Sequence, residues 1–254
     1  MTDVIVALDV DTIQEEERLL DQLKGTIRYY KIGLRLFTAH GKRAVDLVHR
    51  QGGRVFLDLK FHDLPQTVSD AVHEAQKMHV YSLSLHLSGG IDMLHAAAAV
   101  HPRPKLWGVT VLTSLTTTDL RILHPKAAVH PTVQRLAKTG VAHKIDGIIC
   151  SGQEVDLLRK KLGPDTCFIT PGIRPKGYQR HDQKRIITPG EAARLGIRFV
   201  VIGRPITKAN SPLAEAQKIL TEMKNAAPAS LLEGPARESA PELGRNREFK
   251  TEDA

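Results

Sequence analysis

Eight short apolar or β-branched runs recur along this chain, and their rhythm limits the folds open to it. They are Val4–Leu8, Tyr29–Ile32, Val55–Leu59, Ser82–His86, Leu106–Leu112, Gly147–Cys150, Cys167–Thr170 and Phe199–Ile202. Their spacing of about 20 to 40 residues suits one strand, one helix and two loops. Between them, Ile13–Leu23, Ala44–Arg50, Thr67–Met78 and Glu154–Leu162 carry the apolar spacing of amphipathic helices. Glycine stops follow at Gly52-Gly53 and Gly163-Pro164. Eight such alternations favour a closed parallel barrel over an open doubly wound sheet. The expected architecture is therefore α/β, a single-domain (β/α)8 TIM barrel over residues 1–225. Asp9, Lys31, Asp58, Lys60, His86, Thr113, Ser151, Arg174 and Arg204 fall at or just past the C-terminal ends of the strands. A barrel gathers those ends on one face, where its chemistry is done.

From Ala226 to Ala254 the apolar periodicity stops, and this segment reads as a disordered tail. It holds six acidic and four basic residues, so the net charge of +8 becomes +8 − (4 − 6) = +10 for the remainder. Such an excess suits an anionic metabolite. No dense Lys/Arg block is interleaved with aromatics, which argues against nucleic acid as the main partner. No apolar run is long enough for a membrane span, and the N-terminus lacks a secretory pattern, so a cytoplasmic location is expected. Cys150 and Cys167 sit in apolar runs and read as buried, inert thiols. The histidines form no paired zinc motif, and no metal site is expected.

The segment Asp58-Leu59-Lys60-Phe61-His62-Asp63-Leu64-Pro65 concentrates opposite charges. Strand alternation aims Asp58 and Lys60 at the same side, the barrel mouth. Charges placed there cost solvation unless paired. One reading is a salt bridge that closes the strand end. The other is a lysine kept protonated between Asp58 and Asp63, suited to donate a proton. After the seventh run, residues 171–185 form a basic stretch without periodicity, and Gly203-Arg204 follow the eighth. Loops in these two places hold phosphate in many barrels. Gly203 admits an anion close to the backbone, and Arg204 can grip it with two N–H groups.

Ala7-Leu8-Asp9, Lys31-Ile32-Gly33, the whole Asp58–Pro65 segment, Thr110–Ser114, Thr170–Pro175, Asp182–Arg185 and Val201–Pro205 resemble, in order, the signatures of the orotidine 5′-phosphate decarboxylase family. The resemblance spans roughly residues 3–225. It implies cofactor-independent decarboxylation of orotidine 5′-phosphate to uridine 5′-phosphate and carbon dioxide, the last step of de novo pyrimidine nucleotide synthesis. It makes Lys60 the proton donor to pyrimidine C6, places Asp58 beside the substrate carboxylate, and has Asp63 reach the site from the second subunit of a homodimer. It gives Asp9 and Lys31 to the ribose hydroxyls, with Thr67 contributing across the interface, and Thr113 and Ser114 to the pyrimidine. Arg174, Gln183, Gly203 and Arg204 are implied at the phosphate. It leaves His62 and His86 structural.

Single residues admit plainer readings: Lys31 snorkelling, Thr67 as an early-helix residue, Thr113-Ser114 as a strand-end cap, residues 171–185 as a solvated loop. Rival functions are a metal-assisted phosphosugar decarboxylase or aldolase of the same superfamily and, in a different class, a basic RNA-binding protein.

Overall fold

The computed structural model describes residues 1–178 and 185–228. Eight parallel strands close on themselves in chain order, β8 pairing with β1. They are β1 (Asp3–Ala7), β2 (Tyr29–Gly33), β3 (Arg54–Phe61), β4 (Ser82–His86), β5 (Lys105–Val109), β6 (Gly147–Ile149), β7 (Phe168–Thr170) and β8 (Phe199–Ile202). Around them lie α1 (Ile13–Leu23), α2 (Leu34–His40), α3 (Lys42–Arg50), α4 (Pro65–Lys77), α5 (Ile91–Ala99), α6 (Thr117–Leu123), α7 (Val129–Ala142), α8 (Val155–Leu162), α9 (Pro189–Arg194), α10 (Arg204–Thr207) and α11 (Pro212–Ala226). No helix among the described residues is long and apolar enough to cross a membrane.

The helices form where the sequence supplies both an apolar stripe and a start signal. In α1, Ile13, Leu19, Leu20 and Leu23 face the strands, while Thr12 and Glu15 make a reciprocal capping box. α4 begins two residues before the expected Thr67, because Pro65 occupies the first turn, where a missing N–H costs nothing. β5 ends at Val109, short of the expected Leu112. Beyond it the Thr110 hydroxyl and N–H both bond the Ile149 carbonyl, and the chain then turns through Leu112–Leu115. At the other end, α11 continues through Ala226, one residue into the segment expected to be tail.

Alternation sorts the strand residues into two apolar layers. Val6, Ile32, Leu57, Leu83 and Ile202 face outward against the helices. Ile5, Tyr29, Phe56, Trp107, Ile169 and Phe199 face inward and fill the barrel. The rings of Phe56 and Trp107 lie 4.5 Å apart, and Tyr81 packs edge-on against Trp107. Cys150 and Cys167 lie at strand ends, and burial pushes their thiols up, Cys167 to about 11. Neither is a ready nucleophile.

Candidate active site

Two residues further along the same inward faces, the barrel changes character. Ala7 is followed by Asp9, Tyr29 by Lys31, Phe56 by Asp58 and Val201 by Gly203. This periodicity lifts polar groups onto an apolar floor. Above it opens a cleft of about 620 Å³, with Ala7, Phe56, Ile169 and Val201 at its base.

Four charges of alternating sign line one side. Lys31 Nζ lies 2.9 Å from Asp9 Oδ1 and 3.7 Å from Asp58 Oδ2, and Lys60 Nζ lies 2.9 Å from Asp58 Oδ1. The inner pair is nearly closed to water, with side-chain exposures of 11% for Lys31 and 13% for Asp58, against 31% for Lys60. Burial alone would raise the Asp58 carboxyl, but Lys31 and Lys60 outweigh it and hold the group below its ordinary value. Burial alone would lower the Lys31 ammonium, and Asp58 and Asp9 together hold it above. Both are therefore charged at neutral pH, and Asp58 is a fixed anion at the cleft floor.

Lys60 does not reach this place by regular alternation. Its φ is 54°, the left-handed region, and β3 slips register against β4 between Leu57 and Phe61. Its N–H donates to Ser84 Oγ at 2.9 Å, and that hydroxyl donates to Asp58 Oδ1 at 2.8 Å. Ser84 is thus a member of the site that the sequence reading missed. Its only signal was an inward-facing serine in Ser-Leu-Ser-Leu-His.

Gly33 ends β2 beside these charges. A Cβ there would stand 2.7 Å from Lys31 Nζ and 3.2 Å from Asp9 Oδ1, so the glycine leaves room for the ion pair. At Gly203 the first atom a Cβ would meet is Ala7 Cβ at 3.5 Å, an ordinary contact.

Across the cleft, Thr113 and Ser114 follow β5, Arg174 follows β7, and Gly203 and Arg204 follow β8; all five line it. Arg174 is buried, and its guanidinium donates to the Ile173 carbonyl at 2.8 Å. Arg35 and Lys208, not singled out in the sequence, also line the cleft, Arg35 on the Asp9 side, where it pairs with Asp11. Asp63 and Thr67 are exposed and do not line the cleft of their own chain. The Asp63 carboxylate accepts the Leu64 N–H at 2.6 Å. Gln183 lies outside the described residues. His86 is half-buried, its ring 5.3 Å from that of His62; burial, His62 and Lys60 all depress it, against Asp58.

The arrangement joins a row of fixed charges ending in an accessible ammonium, a pair of hydroxyls, and a cationic wall. Such a cleft fits an anionic molecule held by several polar groups at once.

Comparison with known proteins agrees with this geometry. The family model described as "Orotidine 5'-phosphate decarboxylase / HUMPS family" matches residues 2–219. A protein of Pelobacter propionicus named orotidine 5′-phosphate decarboxylase is 42% identical, over 87% of this chain and 94% of its own. One of the same name from Moorella thermoacetica is also 42% identical, over 87% of this chain and 92% of its own. The crystal structure of orotidine 5′-phosphate decarboxylase from Lactobacillus acidophilus superposes with a TM-score of 0.77 at 34% identity, covering 88% of this chain and 99% of that one.

Proposed function

The chain belongs to the orotidine 5′-phosphate decarboxylase / HUMPS family, and from that premise we propose that it converts orotidine 5′-phosphate to uridine 5′-phosphate and carbon dioxide. The observation that carries the reading is Asp58 fixed as an anion between Lys31 and Lys60 on the cleft floor. In the reaction the bond from C6 to the carboxylate breaks, and its electron pair stays on C6. The Lys60 ammonium, 2.9 Å from Asp58 and the most open cation of the row, stabilises that pair and then delivers a proton to it. Lys60 afterwards regains a proton from water. Because the charges stand in place before the reaction, little reorganisation accompanies the transition state.

Asp9 and Lys31 suit the ribose hydroxyls, Thr113 and Ser114 the pyrimidine edge, and Arg174, Gly203 and Arg204 the phosphate, with Gln183 joining them. Phosphate binding at the far wall supplies energy that aligns C6 with Lys60.

The site is completed by a second copy of the chain, with Asp63 and Thr67 turned toward the partner's cleft. The rim beside them supports this. Leu34, Leu64 and Ile91 open α2 or α5 or precede α4, at the same barrel end, and are 59%, 71% and 52% exposed. Exposed apolar side chains on one rim suit a twofold contact.

The direct test incubates purified protein with orotidine 5′-phosphate and follows the loss of its ultraviolet absorbance, with and without a chelator. Turnover in both sustains the proposal. Activity abolished by chelation and restored by magnesium would favour a metal-assisted phosphosugar enzyme of the superfamily.

A further inference from the structure

We infer that Arg185 and Glu154 are positioning residues that set the Thr113–Ser114 turn against the substrate's pyrimidine, an inference that rests on the decarboxylase reading.

Neither residue lines the cleft. The Leu112 carbonyl accepts the Leu115 N–H at 3.0 Å and so closes a four-residue turn. Its two central residues are Thr113 and Ser114, both on the cleft wall. Arg185 Nη2 donates to the same Leu112 carbonyl at 3.2 Å and stands 3.5 Å from that of Val111. Its other terminal nitrogen pairs with Glu154. Glu154 is 1% exposed, and its second carboxylate oxygen accepts the Ser151 N–H at 3.0 Å. A rigid fork thus joins the turn after β5 to the turn after β6.

The same stretch of chain reaches the loop after β7. Two residues beyond Arg185, Ile187 bridges to Ile173 and its carbonyl accepts the Arg174 N–H at 3.0 Å. One short segment therefore supports both the pyrimidine turn and the backbone of an arginine assigned to phosphate. Burial pushes the Glu154 carboxyl up, with Arg185 and the Ser151 N–H pulling it down. An ion pair held this deep adds little net stability, because desolvation offsets the attraction. Geometry is what it supplies: the planar guanidinium fixes two partners at once.

The experiment compares Arg185→Met and Glu154→Gln in the full chain, each alone and on a Thr113→Val/Ser114→Ala background. Arg185→Met is expected to lower kcat/KM for orotidine 5′-phosphate roughly 10- to 100-fold in the parent, and less than about threefold on that background, because coupled residues are not additive. Amide hydrogen exchange over residues 112–115 should quicken while the barrel strands keep their protection. An equal loss on both backgrounds, or exchange quickened throughout the barrel together with a lower Tm, overturns the inference. Should Arg185→Met fail to fold, Glu154→Gln takes the same measurements with a smaller expected effect, and unchanged exchange at the turn would be decisive against it. A parent that does not turn over the nucleotide overturns the decarboxylase reading instead, and the exchange experiment still reports whether the strut holds the turn.

Discussion

The Lys60 N–H and the Asp58 carboxylate share one hydroxyl, that of Ser84: it accepts from the first at 2.9 Å and donates to the second at 2.8 Å. The left-handed turn that swings Lys60 toward Asp58 is thereby tied to the next strand. A departure from regular β structure, stabilised by β4, sets the separation of the proposed proton donor and its neighbouring anion.

Replacing Lys60 should therefore remove chemistry more than binding. Lys60→Ala is expected to lose at least ~10⁴-fold in turnover while still binding uridine 5′-phosphate, since a transition-state contact and the proton donor vanish together. Steady-state rates and a nucleotide titration check this. Activity within tenfold of the parent would take Lys60 out of the mechanism.

Gly33→Ala tests the room left for the ion pair. The backbone at Gly33 is extended, with φ −98° and ψ −177°, so alanine is conformationally allowed there. The added methyl would displace Lys31 from Asp9. A fall in kcat/KM of about 10- to 100-fold with little change in Tm is expected, as misplacements near 1 Å cost that much. Parent-like kinetics would show that Lys31 relaxes without consequence.

Ser84 and Gly33 mark where sequence reading stopped. The barrel was legible because alternation and helical spacing depend on each segment alone: α1 was delimited at Ile13–Leu23 by its own stripe. Asp9, Lys31, Asp58, Thr113, Ser114, Arg174 and Arg204 stand on the expected face because strand ends converge. The role of Ser84 was hidden, since it follows from a register slip that only the pairing of β3 with β4 defines. The need for Gly33 likewise lies in the reach of a lysine two residues away. The strand-alternation argument brought Lys60 to the mouth, but by a route the backbone does not take.

The phosphate grip predicts a substrate-dependent defect. Arg204→Ala should lower kcat/KM by roughly 10²–10⁴-fold on orotidine 5′-phosphate, through loss of a charge-assisted contact. The loss on the nucleoside without phosphate should be far smaller. Equal losses on both would assign Arg204 to the fold.

Glu16 on α1 makes stability fall with pH. It is 0% exposed, and neither carboxylate oxygen has a hydrogen-bond partner. Burial pushes it up to about 8, with Arg50 opposing. The folded chain keeps a proton there that the unfolded chain releases near 4.5. This contribution is fully present below about 4.5 and is lost as pH rises through about 8, on the order of a few kcal/mol. Glu16→Gln should raise Tm by several degrees at pH 9 and by little at pH 5. A pH-independent difference in thermal melts would refute the assignment.

The proposed sharing of each site between two subunits can be tested by exchanging them. Homodimers of Lys60→Ala and of Asp63→Ala should both be poorly active. In a mixed dimer one site takes both defects, and the other takes intact Lys60 and intact Asp63. With random exchange at equal amounts, half the dimers are mixed, and recovered activity should approach ~25% of the parent. Differently tagged chains verify exchange. No recovery after verified exchange would mean that Asp63 serves its own chain.

The interlocked rings of Phe56, Trp107, Tyr81 and Phe199 stop the barrel from below. The cavity is consequently a cul-de-sac. In the proposed reaction, carbon dioxide released in this cleft would have to leave by the mouth that admits the nucleotide. Protonation of C6 would then be what keeps the trapped gas from adding back.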